Sequence, residues 1–194
     1  MKPAPTTYPV HELIRNRWSP RSFSAQPIAP DTLNQIFEAA SWAFSAMNAQ
    51  PWQYIYAHKA DTEAFQKILD CLLPANQPWA KNAAVLIVAL TKTNYDNGQP
   101  NVAALHDLGA ANATLMLEAT ALGVHGHLMG GFDREKTRQA FSLPEELAPA
   151  VIVGLGYLGL AEQLEEPALS REKAARTRKP ISEFVFQNAL PTAS

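Results

Sequence analysis

Two arginine-rich stretches, Arg17-Trp18-Ser19-Pro20-Arg21 and Arg176-Thr177-Arg178-Lys179-Pro180, stand near opposite ends of a 194-residue chain and constrain its fold more than any other feature. In extended backbone alternate residues share a side, so Arg17, Ser19 and Arg21 can present one polar face and Arg176 and Arg178 another. Pro20 and Pro180 favour that geometry, because proline disfavours the helical region for the residue before it. Arginine forks match phosphate oxygens well, so two such clamps separated by nearly the whole chain suggest a bound phosphate. The alternative is a pair of solvated basic surface strips.

Composition narrows the field. A chain of this length that is 47% hydrophobic can bury a substantial core as a single domain over residues 1–194. A formal net charge of -2 argues against nucleic acid or an anionic membrane as the main partner. Cys71 is the lone cysteine, which rules out an intramolecular disulfide and a cysteine-based zinc cluster. The N-terminus lacks the apolar run of a signal peptide, and no segment approaches the ~20 apolar residues of a membrane span. A soluble cytoplasmic protein is the expectation.

The patterning mixes helices and strands. Val10 to Arg15 predicts a short helix, and Pro30-Asp31 opens a stronger one with Leu33, Ile36, Phe37 and Ala40 at amphipathic spacing. Gln53 to His58 predicts a strand, and Asp61 a cap for a helix that buries Phe65, Ile68, Leu69 and Leu72. The continuous apolar run Ala84 to Leu90 marks an interior strand. A loop over Thr93 to Asn101 leads into the longest helix, Val102 to Leu122, stopped by Gly123, with Leu105, Leu108, Leu115, Met116 and Leu122 assigned to the core. Its first half is rich in small residues (Ala103, Ala104, Gly109, Ala110, Ala111 and Ala113), which suggests packing on two sides, with a second subunit as one candidate neighbour and a well-buried central helix as the other reading. Val124 to Met129 predicts a strand, Asp133 to Phe141 a capped helix, and Ala150 to Leu155 a strand.

Several chemical motifs are weak. Gly154-Leu155-Gly156-Tyr157-Leu158-Gly159 matches G-x-G-x-x-G after a strand-like run, but the helix, second strand and acidic residue of a dinucleotide-binding unit do not follow. These glycines are expected to end a strand instead. His125-x-His127 lies in an apolar strand and is read as structural, no metal site is expected, and Cys71 shows no local sign of activation. With so few acid, base or nucleophile candidates, an enzyme of this sequence would leave the hard chemistry to a cofactor.

Ser45-Ala46-Met47-Asn48-Ala49-Gln50-Pro51-Trp52 adds a further block, as do Asn76-Gln77-Pro78-Trp79-Ala80-Lys81-Asn82-Ala83 and Gly130-Gly131-Phe132-Asp133. Together with the two arginine stretches, and in this order across nearly the whole chain, they resemble the FMN-dependent nitroreductase family. The resemblance implies an α+β fold: a mostly antiparallel central sheet flanked by helices, in an intertwined homodimer with two FMN sites at the interface. On this mapping Arg17, Ser19, Arg176 and Arg178 would hold the FMN phosphate, with Trp18 in the same cofactor-binding block. Arg21 would lie near the flavin pyrimidine edge and Asn76 would hydrogen-bond it. Ser45 and Asn48 would come from the other subunit, and the backbone at Gly130-Gly131 would approach N5.

The implied function is an NAD(P)H oxidoreductase in which NADPH or NADH delivers hydride to flavin N5 and a nitroaromatic, quinone or similar conjugated acceptor then takes it. No side chain is assigned a catalytic role. Two departures stand out: Phe44 replaces the proline that many relatives carry before the serine, and Gly130 stands where some have an acidic residue. Together with the lack of the long helical insertion that covers the substrate channel in larger members, they suggest a relatively open site, which Trp42, Phe44 and Tyr95 could line. A same-fold flavoenzyme of different chemistry (a dehalogenase, an enoyl or aldehyde reductase, a flavin-cleaving enzyme) and a non-catalytic flavin-binding module are the alternatives.

Overall fold

The computed structural model describes residues 2–191. Its centre is a four-stranded antiparallel sheet of order β1-β2-β4-β3, made of β1 (Trp52–His58), β2 (Val85–Lys92), β3 (His125–Met129) and β4 (Leu147–Gly156). The apolar run predicted for an interior strand is β2, which pairs with β1 on one side and β4 on the other. Its side chains alternate between two cores. Leu86, Val88 and Leu90 pack with Phe65, Ile68, Leu72 and Trp79 on one face, while Val85 and Ile87 pack with Ile28, Leu33, Ile36, Leu115 and Met116 on the other. A strand covered on both faces has no polar side to show, hence the uninterrupted apolar sequence. The register shifts between Ala89 and Leu90, opposite Pro149. Proline cannot donate to the ladder, and a bulge is where a paired strand tolerates it.

Around the sheet lie α1 (Glu12–Asn16), α2 (Pro30–Ser41), α3 (Thr62–Leu69), α4 (Gln77–Ala80), α5 (Ala104–Ala121), α6 (Arg134–Ala140) and α7 (Ala168–Lys173). Pro30 opens α2 and Asp61 caps α3 by accepting from the Ala64 amide, both as the sequence predicts. Asp133 likewise caps α6 through the Lys136 amide. Gly123 follows α5 at φ +72°, a conformation that costs other residues but not glycine. Gly154 and Gly156 are among the last residues of β4, so the G-x-G-x-x-G match ends a strand and opens no nucleotide-binding helix. No helix among the described residues is long and apolar enough to cross a membrane.

One core assignment is corrected. Leu105 is 65% exposed and Val102 95% exposed, whereas Leu108, Leu115 and Met116 are buried. The first turns of α5 overhang the chain's own core. Beside them is an apolar cavity of about 560 Å³ lined by Ile14, Leu105, Gly109, Ala113, Leu128 and Val151, with Arg17 as the one charged residue in its wall.

Candidate functional site

The fold joins the two arginine stretches. Arg17 closes α1 in extended geometry (φ -62°, ψ 122°), and α7 delivers the chain to Ala174, where it again becomes extended. The join is made by hydrogen bonds between the chain's first and last segments. Arg176 donates from Nη1 to the carbonyls of Lys2 and Arg15, both at 2.7 Å, and from Nη2 to that of Arg17 at 2.8 Å. Lys2 in turn donates to the carbonyls of Glu172 and Ala174. Arg176 is therefore a strap: most of its fork is spent on main-chain oxygens of the first segment.

The strap crowds cations together. Burial first, and then the charge of Arg178, push the Arg17 guanidinium below its ordinary pKa; burial, Arg17 and Arg178 do the same to Arg176. No carboxylate pairs with Arg17, Arg176 or Arg178 among the described residues. Arg178 is exposed, and its only hydrogen bond there runs from Nη1 to the adjacent Thr177 carbonyl. The indole N–H of the neighbouring Trp18 is buried without an acceptor, and the Lys2 ammonium lies 5.1 Å from the Trp18 ring centre. Ser19 is half-buried. Donors and positive charge in excess, with no acceptor to match, are the composition of an anion site.

A second group assembles around Trp79. The Arg21 guanidinium lies 5.8 Å from the ring centre of Trp79, and that ring packs against His127 at 4.7 Å. His127 donates from Nδ1 to the Pro20 carbonyl at 3.0 Å, in the tautomer that bond requires. Burial holds its imidazole down to about 4, against the opposing pull of that carbonyl bond, so the ring is neutral near pH 7. Asn76 stands at the start of α4, three residues before Trp79, and donates from Nδ2 to the Gly131 carbonyl at 3.0 Å. A Cβ on Gly131 would meet that same nitrogen at 2.8 Å, so a larger residue there would displace the Asn76 amide and disturb this bond. Gly130 is exposed, with no atom within 4 Å of where a Cβ would be. Contacts therefore run from Arg21 through Trp79 of α4 to His127 of β3, and Asn76 at the start of α4 meets Gly131 just past the end of that strand.

Ser45 precedes and Asn48 ends a 3-10 turn, Ala46–Asn48; Met47, Asn48 and, just beyond it, Gln50 have positive φ. Buried Asp107 of α5 secures this turn by accepting from the Ala46 amide at 2.9 Å, and its other oxygen lies 3.0 Å from His106 Nδ1. Phe44 (70% exposed) packs 5.8 Å from the His106 ring, and Trp42 is also exposed while Tyr95 is half-buried. No hydrogen bond links Ser45 or Asn48 to Arg17, Arg21, Asn76 or Gly131 among the described residues. Sequence reasoning missed Asp107, Glu172 and the Trp79–His127 contact. Asp107 does carry a signal, an acid in the first turn of a largely apolar helix; Glu172 carries none.

Residues 14–157 match the model of the nitroreductase family. The chain belongs to the nitroreductase family. This nitroreductase-family chain is 29% identical over 153 residues to a provisionally named NADH dehydrogenase/NAD(P)H nitroreductase of Archaeoglobus fulgidus, covering 75% of this chain and 83% of that protein. Among solved structures, an oxidoreductase described as containing FMN superposes with a TM-score of 0.91 at 33% identity, over 97% of this chain and 96% of the other. A nitroreductase family protein of Clostridium difficile superposes with a TM-score of 0.72 at 24% identity, over 92% and 97%, and shares the fold. The α+β architecture with its antiparallel sheet is thus that of the family.

Proposed function

We propose that this nitroreductase-family protein binds FMN and works as an NAD(P)H oxidoreductase on nitroaromatics, quinones or similar conjugated acceptors. The observation that carries the proposal is the cluster of Arg17, Arg176 and Arg178, three mutually repelling cations assembled from both ends of the chain with no acid among them. A dianionic phosphate relieves that repulsion and accepts from the free donors. The donor set therefore fits the phosphate of FMN. The structural relative described as containing FMN supports the choice of flavin, and the name of the Archaeoglobus fulgidus relative supports NAD(P)H as reductant.

Bound FMN supplies a ring that accepts hydride at N5 from NAD(P)H and passes it to the acceptor. The chain's own residues bind and tune. Arg17, Ser19 and Arg178 hold the phosphate, Trp18 offers its unpaired indole N–H, and Arg176 keeps the two ends closed. Arg21 supplies positive charge beside the pyrimidine edge, where an anionic reduced ring needs it. Asn76 has Nδ2 engaged by Gly131, which leaves Oδ1 to accept from the ring. Gly130 leaves its backbone accessible to the ring without steric cost.

The exposed start of α5 and the adjoining cavity are covered by a second copy of the chain, which brings Ser45 and Asn48 of one subunit over the flavin of the other. The exposed apolar residues Val102 and Leu105 at the start of α5 support this homodimer. Anaerobic visible spectroscopy tests the proposal. A yellow protein that bleaches with NADPH or NADH and regains colour with a quinone is the expected result. A flavin that stays oxidised with both nucleotides makes the protein a binder instead, and a colourless protein that takes up no FMN overturns the reading.

A further inference from the structure

Glu172 is one of two acidic side chains buried in the described residues, 5% exposed, and it belongs to no motif of the site described above. It lies in α7, four residues before the strap arginine, and reaches back across the chain. One carboxylate oxygen accepts from the Arg21 amide at 2.8 Å and the other from the Ser22 amide at 3.3 Å. Its charge also acts on the Arg21 guanidinium, opposing burial and the repulsion of Arg171. Yet no ion pair forms between them among the described residues. A buried carboxylate near an arginine ordinarily takes the guanidinium fork. Here both oxygens are occupied by main-chain donors, and the guanidinium lies over Trp79 with its fork unpaired.

We propose that Glu172 is the positioning residue of the flavin's electrostatic environment: it pins the Arg21 main chain, leaves the Arg21 fork free for the cofactor, and offsets part of the positive charge that the flavin ring meets. This rests on the FMN reading given above. A fixed negative charge near the ring disfavours the anionic reduced flavin, while Arg21 favours it, so the pair sets the reduction potential between two opposed effects. Removal of the negative charge has a definite sign. Glu172→Gln keeps the side-chain volume and one accepting oxygen, so its potential rises. The expected shift corresponds to roughly threefold to tenfold tighter binding of reduced over oxidised FMN relative to the wild type, the size of a screened single-charge interaction. Glu172→Asp retains the charge and restores the potential most of the way.

The experiment measures midpoint potentials of the FMN-loaded wild type, Glu172→Gln and Glu172→Asp, together with hydrogen exchange at the Arg21 and Ser22 amides in the same proteins before flavin is added. A positive shift in the glutamine variant that aspartate reverses supports the proposal. An unmoved or negative shift overturns it, as does an aspartate variant displaced as far as the glutamine one, because loss of packing alone would do that. If the glutamine variant fails to retain flavin, the amides decide. Faster exchange at Arg21 or Ser22 supports the pinning, and unchanged protection at both contradicts it. A wild type that takes up no FMN sinks the functional reading, whereas the amide comparison still judges Glu172.

Discussion

Burial and the neighbouring cations disfavour the charged forms of Arg17 and Arg176, since like charges held together and partly desolvated repel more strongly than in water. Arg21, which lies over the Trp79 ring, is proposed to act on the flavin ring rather than on its phosphate, so its removal should change electron affinity more than folding. Arg21→Ala is expected to lower the flavin midpoint potential, read by anaerobic dye equilibration, with a melting temperature close to the wild type; an unshifted potential removes Arg21 from that role. His127 contributes a pH dependence whose sign is fixed by burial. Its folded pKa is about 4 against the ordinary 6.5, so between those values the unfolded chain binds the extra proton and stability falls as pH decreases. The effect grows to at most about 3 kcal/mol by pH 4. His127→Gln should flatten the fall in melting temperature between pH 7 and pH 5 relative to the wild type. A parallel fall in both proteins would show that the imidazole contributes nothing there.

Helices and strands with a complete local code were legible in the sequence. α2 had its proline start and amphipathic spacing, α3 and α6 had aspartate caps, and β2 had the apolar run of a doubly covered strand. Spacing failed where the environment lies outside the chain's own core. Leu105 sits at a core-like interval in α5 yet is exposed, because periodicity shows that a face is apolar and not what covers it. The site was legible in part. Asn76 and Gly131 were named from separate blocks, but their hydrogen bond depends on how α4 meets the end of β3. Arg176 was named for its charge, while its role as a strap depends on carbonyls more than 150 residues away. The 45–50 turn depends on α5 in the same manner. Three residues with positive φ are held by the Asp107 carboxylate, so Asp107→Ala should cost about 1–3 kcal/mol by leaving the Ala46 amide without its acceptor. Thermal or urea unfolding measures this, and a variant as stable as the wild type would show the turn to be held by other contacts.

The whole molecule is organised by the meeting of segments from near both ends of the chain, and the proposed function adds a second meeting, that of two subunits. The second predicts that Leu105→Asp, which places a charge on the exposed apolar start of α5, converts a dimer into a monomer in light scattering and lowers FMN retention with it. A wild type that is already monomeric and still holds flavin would contradict the shared site. The first meeting is the central claim: residues near both ends of the chain form one phosphate clamp. FMN and riboflavin share a ring and differ in that phosphate, so their relative affinities test the clamp most directly. The measurement is a fluorescence-quenching titration of both flavins into the flavin-free wild type and Arg178→Ala. The wild type should favour FMN strongly, and the variant should bind FMN about 10- to 100-fold more weakly, from the ~1.5–3 kcal/mol of a charge-assisted hydrogen bond, with riboflavin affinity little changed. Equal affinity of the wild type for the two flavins, or a preference for FMN that survives loss of Arg178, would contradict the clamp.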